Sequence, residues 1–93
     1  MKVENLEQTC EACPSQWEFT TDNGRPVYVR YRWGFLTVYI NESGNAIDGT
    51  VLFCKKIGHG FDGTITWKEI EEKYMNEIDK YYQSYLRAMI SNE

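Results

Sequence analysis

No stretch of this sequence is apolar over the roughly 20 residues that a membrane-spanning helix requires. Residues 1–5 are not followed by the apolar core of a secretory signal peptide. Basic residues are in the minority, because ten Lys and Arg stand against fourteen Asp and Glu and give a net charge of −4. Proteins that bind nucleic-acid backbones normally carry the opposite excess. We therefore expect a soluble, cytoplasmic protein that makes no membrane contact and for which nucleic acid is a disfavoured partner.

Cysteine is scarce: the chain has three, an odd number that makes a poor disulfide framework and suits a reducing compartment. Phosphate-binding loops, nucleophile elbows and HExxH metalloprotease motifs are missing. The single histidine, His59, lies in a glycine-rich segment without a recognisable nucleophile and orienting acid beside it. These absences predict a protein that is not an enzyme and that needs no cofactor.

The residues that are present predict one folded α+β domain. Apolar residues make up 42 % of the 93 residues and aromatic residues 15 %, which is enough to build a small core. We expect a three- to four-stranded antiparallel sheet, a β-meander, packed by one long C-terminal α-helix. The chain divides into a loose N-terminal arm (1–15), antiparallel strands (16–57), a glycine-rich loop (58–65) and the helix (66–91).

The alternation of apolar and polar residues in the strands predicts which residues share a face. A two-residue loop at Trp33-Gly34 gives a core face with Val27, Val29, Tyr31, Leu36, Val38 and Ile40. The opposite face then carries Tyr28, Arg30, Arg32, Phe35, Thr37 and Tyr39. A three-residue loop at 22–24, with Gly24 in the left-handed region, adds Trp17 and Phe19 to the core face.

One helix is predicted from Thr66 onwards. Thr66 and Glu69 form a capping box, and the apolar spacing that follows predicts Ile70, Tyr74 and Ile78 in the core. A straight helix to residue 90 would be ~36 Å long, whereas strands of six to eight residues span only ~20–26 Å. The helix should therefore overhang the sheet with an exposed stripe of Tyr82, Tyr85, Leu86, Met89 and Ile90. We expect two copies to pair through this stripe as a homodimer.

A zinc site is the alternative that the cysteines leave open. Cys10-x-x-Cys13, together with Cys54 and His59, supplies four side chains of the types that zinc accepts as ligands. The second half of this set, Cys54-x4-His59, lacks the close pairing of a zinc knuckle. We therefore expect no metal, and these four residues are the predicted ligands if one is bound.

Part of the chain carries a distinctive pattern: Cys13-Pro14-Ser15-Gln16-Trp17-Glu18, then Gly24-Arg25, Tyr28, and Arg30-Tyr31-Arg32 with Gly34. In this pattern the chain resembles a family of small bacterial and phage proteins with no established function. That family has a Gly…Asp-Gly segment further on, which Gly58 and Asp62-Gly63 match here. The resemblance covers about residues 13–72, and the long helix beyond Glu72 departs from the short ending of the family. It implies a setting in bacteria and their phages or mobile elements, but no mechanism.

Two surfaces are candidates for binding a partner. They are the sheet face with Tyr28, Arg30, Arg32, Phe35 and Tyr39, and the helix stripe with Tyr82, Tyr85, Leu86 and Met89. Aromatic residues and arginine recur in single-strand RNA binders and in protein interfaces, and the acidic total favours protein. We expect a non-enzymatic protein-binding module from a phage or mobile element that inhibits a host defence protein, of the anti-CRISPR or anti-defence type. A zinc-binding or nucleic-acid-contacting accessory domain and an immunity- or antitoxin-type protein are the alternatives.

Acidic residues along the helix suggest one way to inhibit. They are Glu69, Glu71, Glu72, Glu77 and Asp79, and such a row can imitate nucleic-acid phosphates inside a basic channel. The alternative is a solvated helix face with i,i+4 ion pairs such as Glu69–Lys73.

Overall fold

The computed structural model describes residues 1–11, 15–41, 49–58, 60 and 64–91, with side chains up to residue 88. These residues form an α+β fold in which a five-stranded antiparallel sheet, in the sequential order β1-β2-β3-β4-β5, is followed by two helices. The elements are β1 (Glu4–Cys10), β2 (Ser15–Thr20), β3 (Pro26–Arg32), β4 (Phe35–Ile40), β5 (Thr50–Lys56), α1 (Trp67–Lys73) and α2 (Met75–Ser91). The described helices include none long and apolar enough to cross a membrane.

Both hairpin registers predicted from the sequence are confirmed. Arg32 is paired with Phe35 across the Trp33-Gly34 loop, and the φ angles of 56° and 78° at these loop residues are typical of a type I′ turn. In the first hairpin Trp17 is paired with Val29, and Gly24 has a φ of 78°. The loop of this hairpin therefore has three residues, 22–24.

The N-terminal segment corrects the prediction of a loose arm at 1–15 and of three to four strands. Glu4–Cys10 is an edge strand, β1, that pairs antiparallel with β2. Six of its seven residues are exposed, so its sequence lacks the apolar alternation by which the other strands are recognised. Its pairing contains two register shifts, which are common devices at sheet edges. Backbone pairing, rather than side-chain burial, holds this strand in place.

The helical segment begins as predicted but is not one long helix. The backbone N–H of Glu69 donates to Oγ1 of Thr66 at 3.2 Å, which confirms the N-cap. The helix is interrupted at Tyr74, where φ is −123°, and α2 begins at Met75. The interruption allows α1 to pack Trp67 against β2, while α2 packs along β5.

The core lies between the helices and one face of the sheet. Its buried residues are Trp17, Phe19, Val27, Val29, Tyr31, Leu36, Val38, Ile40, Leu52, Phe53, Ile65, Ile70, Ile78 and Tyr82. Of the core residues predicted in the strands and helix, only Tyr74, at the interruption between α1 and α2, is not fully buried. Leu52 and Phe53 are both buried although they are consecutive, because the register shift opposite Val38 and Tyr39 turns both inward.

The overhang predicted for the C-terminal helix is wrong for the side chains that the structure describes. Tyr82 is 2 % exposed, and Tyr85 and Leu86 are half-buried against the core. The prediction assumed one straight helix from Thr66, whereas the helix is interrupted at Tyr74 and α2 packs along β5. The 17 residues of α2 extend ~25 Å, which is close to the ~23 Å of the seven-residue strand β5. The side chains of Met89 and Ile90 lie outside the described residues.

Candidate binding face

The sheet has a second face, which no described element covers. We call it the open face. On β2, β3 and β4 it carries Gln16, Glu18, Tyr28, Arg30, Arg32, Phe35, Thr37 and Tyr39, and the edge strands add Glu7, Cys10, Val51, Cys54 and Lys56. Both helices pack on the other side, through contacts such as those of Trp67 with Trp17 and Phe19. All five sheet-face residues predicted to bind a partner are therefore brought together on one surface.

Two tyrosines form the centre of the open face. Tyr28 and Tyr39 are direct partners in the β3–β4 register, and their ring centroids lie 5.6 Å apart with the planes tilted by 51°. Burial raises the pKa of Tyr28, with smaller raising effects from Tyr39, Glu18 and Cys10, while the positive charge of Arg30 acts in the opposite direction. Tyr28 is therefore a neutral phenol near pH 7 and keeps an O–H donor for a partner.

Two arginines on β3 lie beside this pair and make no ion pair within the described part of the chain. The Nε of Arg30 is buried and has no hydrogen-bond partner among the described residues, which is a costly condition for a buried donor. The guanidinium of Arg32 lies 5.0 Å from the ring centroid of Trp33, within cation–π range. An Arg30–Glu18 ion pair, which would have neutralised this part of the face, is not formed. Glu18 instead lies opposite Tyr28.

Trp33 belongs to this surface and was not singled out from the sequence. Its φ of 56° places a bulky residue in the left-handed region, where Asn, Asp or Gly is the usual choice in a type I′ turn. Its side chain is 55 % exposed, so core packing does not account for a tryptophan here. With Arg30, Arg32, Phe35, Thr37 and Tyr39 it lines a shallow hollow of about 190 Å³. A residue kept against its local preference and exposed at a hollow is a candidate for binding.

The half of the open face that β1 and β2 form is acidic. Glu7 of β1 and Glu18 of β2 are direct cross-strand partners, and like charges in this position destabilise a sheet. Neither carboxylate forms an ion pair with a described residue. Glu7 could not be assigned to this face from the sequence, because β1 was taken for a loose arm. The open face is therefore divided, with carboxylates on β1 and β2 and arginines further along β3.

The geometry rules out the four-residue zinc set as one site. Cys10, Gln16, Arg30, Thr37 and Cys54 are successive partners in one row across all five strands. Four strand spacings separate Cys10 from Cys54, or ~19 Å, whereas ligand sulfurs lie ~2.3 Å from a zinc ion. Cys13 and His59 lie outside the described residues. Within the described ranges, no group of three or more His, Cys, Asp and Glu side chains is arranged to hold a metal ion.

Folding should not depend on metal. We expect a chelator to leave the thermal midpoint unchanged, because the core consists of apolar side chains and Cys54 is exposed at the edge of the sheet. Circular dichroism melts with and without the chelator measure this, and Cys10→Ser is the variant that should melt like the wild type. One equivalent of zinc in protein purified without added metal would contradict the prediction.

The second predicted surface, the stripe on the C-terminal helix, does not form one exposed surface in the structure. Tyr82 is buried, while Tyr81 beside it is 51 % exposed and its ring contacts Phe53. Pairing of two copies through α2 stays a prediction, but Tyr82 no longer supports it. This helix lies on the opposite side of the sheet from the open face, so the two predicted surfaces do not form one site.

The acidic row of the helices is interleaved with cations. The carboxylate of Glu77 lies 3.1 Å from Nζ of Lys55, that of Glu72 lies 4.0 Å from Nζ of Lys68, and Asp79 accepts a hydrogen bond from the amino terminus of Met1. These pairs fit the solvated helix face better than a continuous imitation of phosphates.

Compared with models of protein families, with curated proteins and with solved structures, the chain matches none. The resemblance to small bacterial and phage proteins therefore stays a prediction.

Proposed function

We propose that this protein is a non-enzymatic protein-binding module that holds its partner on the open face. The observation that carries the proposal is a sheet face that no described element covers, with a central tyrosine pair and two arginines, Arg30 and Arg32, that form no ion pair with a described residue. Tyr, Trp and Arg are the residue types most enriched in the energetic centres of protein interfaces. The hollow beside Trp33 is a concave site into which a side chain of the partner can pack.

The division of charge on the open face supports a protein partner over a nucleic acid. A single strand that tracked the arginines of β3 towards the tyrosine pair would bring its phosphates towards Glu18 and Glu7. A uniformly negative polymer is repelled there, whereas a protein surface can present charges of both signs. A nucleic-acid-contacting accessory domain is thus the second choice. A zinc-binding domain is further weakened by the distance between Cys10 and Cys54.

The setting implied by the sequence resemblance points to one kind of target. In a phage or mobile element, a small acidic binding module acts in the cytoplasm of a bacterial host, and we propose that it inhibits a host defence protein there, as anti-CRISPR and other anti-defence proteins do. Inhibition by occupation of a surface needs no catalytic residue. An immunity- or antitoxin-type role would use the same face on a different target.

Replacing Trp33 tests the proposal, because it separates binding from stability. Trp33→Gly should fold at least as stably as the wild type, since glycine tolerates the positive φ. It should weaken partner binding by about 2 kcal/mol, or roughly 30-fold, as the loss of an interface centre does. The matched control is Tyr81→Ala, an exposed aromatic on the other side of the sheet.

The measurement uses immobilised protein and lysates of bacteria that carry nuclease-based defence systems. The expected result is a defined host protein retained by the wild type and by Tyr81→Ala but lost by Trp33→Gly, with plaque counts of a sensitive phage raised by the same two forms. Capture that Trp33→Gly leaves intact would refute the open face as the binding surface. Retention of a single-stranded oligonucleotide in place of protein would transfer the face to the accessory-domain alternative.

A further inference from the structure

The open face carries one acidic and one basic cluster, and neither forms an ion pair with a described residue. Glu7 and Glu18 repel each other across the β1–β2 pair. Arg30 and Arg32 are two positions apart on β3 and therefore point to the same face. Neither cluster has counter-charges within the described part of the chain. A surface with both clusters can in principle supply them to a copy of itself.

The positions of the four charges allow this pairing with a single two-fold axis. On the open face, Arg30 lies one strand across and one row along from Glu18, and Arg32 lies two strands across and two rows along from Glu7. The line that joins Glu18 to Arg30 and the line that joins Glu7 to Arg32 therefore run in the same direction. With ~4.8 Å between strands and ~6.7 Å between rows, the two lines are ~8 Å and ~16 Å long. A single two-fold axis that runs parallel to the sheet and perpendicular to both lines passes within about 2 Å of both midpoints.

The tyrosine pair occupies the middle of this arrangement. Tyr28 and Tyr39 lie in the same row as Glu7 and Glu18, one and two strands beyond Glu18. With the same spacings, both tyrosines lie within about 2 Å of the two-fold axis. Their rings would meet those of the second copy, while each arginine meets a carboxylate. An isologous interface requires this self-complementarity, in which residue i contacts residue j of the other copy and j contacts i.

We propose that the open face binds a second copy of this chain, and that the two copies pair face to face through Glu7–Arg32 and Glu18–Arg30 contacts. This rests on the proposed function, since it names an occupant of the same face. A target protein would compete with the second copy, so the dimer is the resting form. The face measures only ~19 by ~20 Å, at the small end of specific interfaces, which predicts a weak and reversible dimer.

Charge reversal at the two exposed outer positions provides the test. Arg32→Glu and Glu7→Arg should each weaken dimerisation at least about tenfold, because every substitution occurs twice in an isologous dimer and replaces attraction by repulsion. Mixing the two variants should restore a heterodimer, since both outer contacts then join opposite charges. The double variant in one chain should again form a homodimer. Lys68→Glu, an equal charge change on exposed α1, is the control.

Analytical ultracentrifugation over a micromolar concentration series, at ~0.05 M and ~1 M salt, measures the result. The expected wild-type mass rises towards twice 11.0 kDa at low salt and falls at high salt, where the screening length is only ~3 Å. A monomer at every concentration, a dimer that tolerates Arg32→Glu, or a failure of the mixed variants to pair would each overturn the inference. Host-protein capture lost by Trp33→Gly in a monomeric chain would then leave the proposed function standing alone.

Discussion

Val29→Asp should unfold the protein at ordinary temperatures. Val29 is 1 % exposed in the middle of β3, the central strand of the sheet, where it is paired with Trp17 on one side and Val38 on the other. Both cross-strand partners are apolar and Val29 belongs to the buried core cluster, so a carboxylate at this position would be removed from water. We expect a loss of at least ~4 kcal/mol in the free energy of unfolding. A domain of this size has about 5–10 kcal/mol in total.

The matched control is Arg32→Asp, three residues along the same strand. Arg32 is exposed on the open face, so the same carboxylate stays hydrated there and should change the free energy of unfolding by no more than ~1 kcal/mol. Urea denaturation followed by tryptophan fluorescence measures both variants. If Val29→Asp unfolded at the wild-type midpoint while Arg32→Asp lost its structure, the core face and the open face would have been assigned in reverse.

These two faces were predictable from the sequence because hairpin loops and strand alternation are local signals. Shifting either loop by one residue would have mixed apolar and charged side chains on both faces, and only one register avoided this. Gly24 and Gly34, both at φ of 78°, mark the loops directly. Five of the residues predicted to bind a partner lie together on the open face for the same reason. The alternation of apolar and polar residues therefore predicted most of the strands and the core face of the sheet.

The features that the sequence did not predict depend on contacts without periodic signals. β1 is held by backbone pairing, and its exposed side chains give no alternation from which to recognise it. Glu7 was consequently missed as the acidic partner of Glu18. Trp33 had a local signal, a tryptophan where a type I′ turn prefers Asn or Gly, and the hairpin register was sufficient to find it. The division of charge over the open face needed β1 and was out of reach.

The C-terminal helix shows how a correct pattern can lead to a wrong surface. Its apolar spacing correctly indicated a buried face, but the length comparison made Tyr82 part of an exposed stripe. The helix is instead interrupted at Tyr74, and α2 packs along β5 with this ring 2 % exposed in the core. Tyr82 packs in the same cluster as Ile78 and Phe53, so this side of α2 forms part of the core.

Tyr82→Ala should therefore be among the most destabilising substitutions in the helices. Removing an aromatic ring that is 2 % exposed leaves a large cavity and should lower the free energy of unfolding by ~3–5 kcal/mol. Tyr81→Ala, one residue away and 51 % exposed, should cost only about 1 kcal/mol or less, because it gives up little more than its ring contact with Phe53. Urea denaturation compares the two directly.

A third substitution isolates the hydroxyl of Tyr82 from its ring. This oxygen is buried and has no hydrogen-bond partner among the described residues, so Tyr82→Phe removes a group that is desolvated without compensation. The free energy of unfolding should stay within ~1 kcal/mol of the wild type or rise, since the ring and its packing are kept. A Tyr82→Ala protein as stable as Tyr81→Ala would show that α2 is detached from the core in solution. The stripe predicted for self-association would then be exposed after all, and a dimer through α2 would become the better account of pairing than the open face.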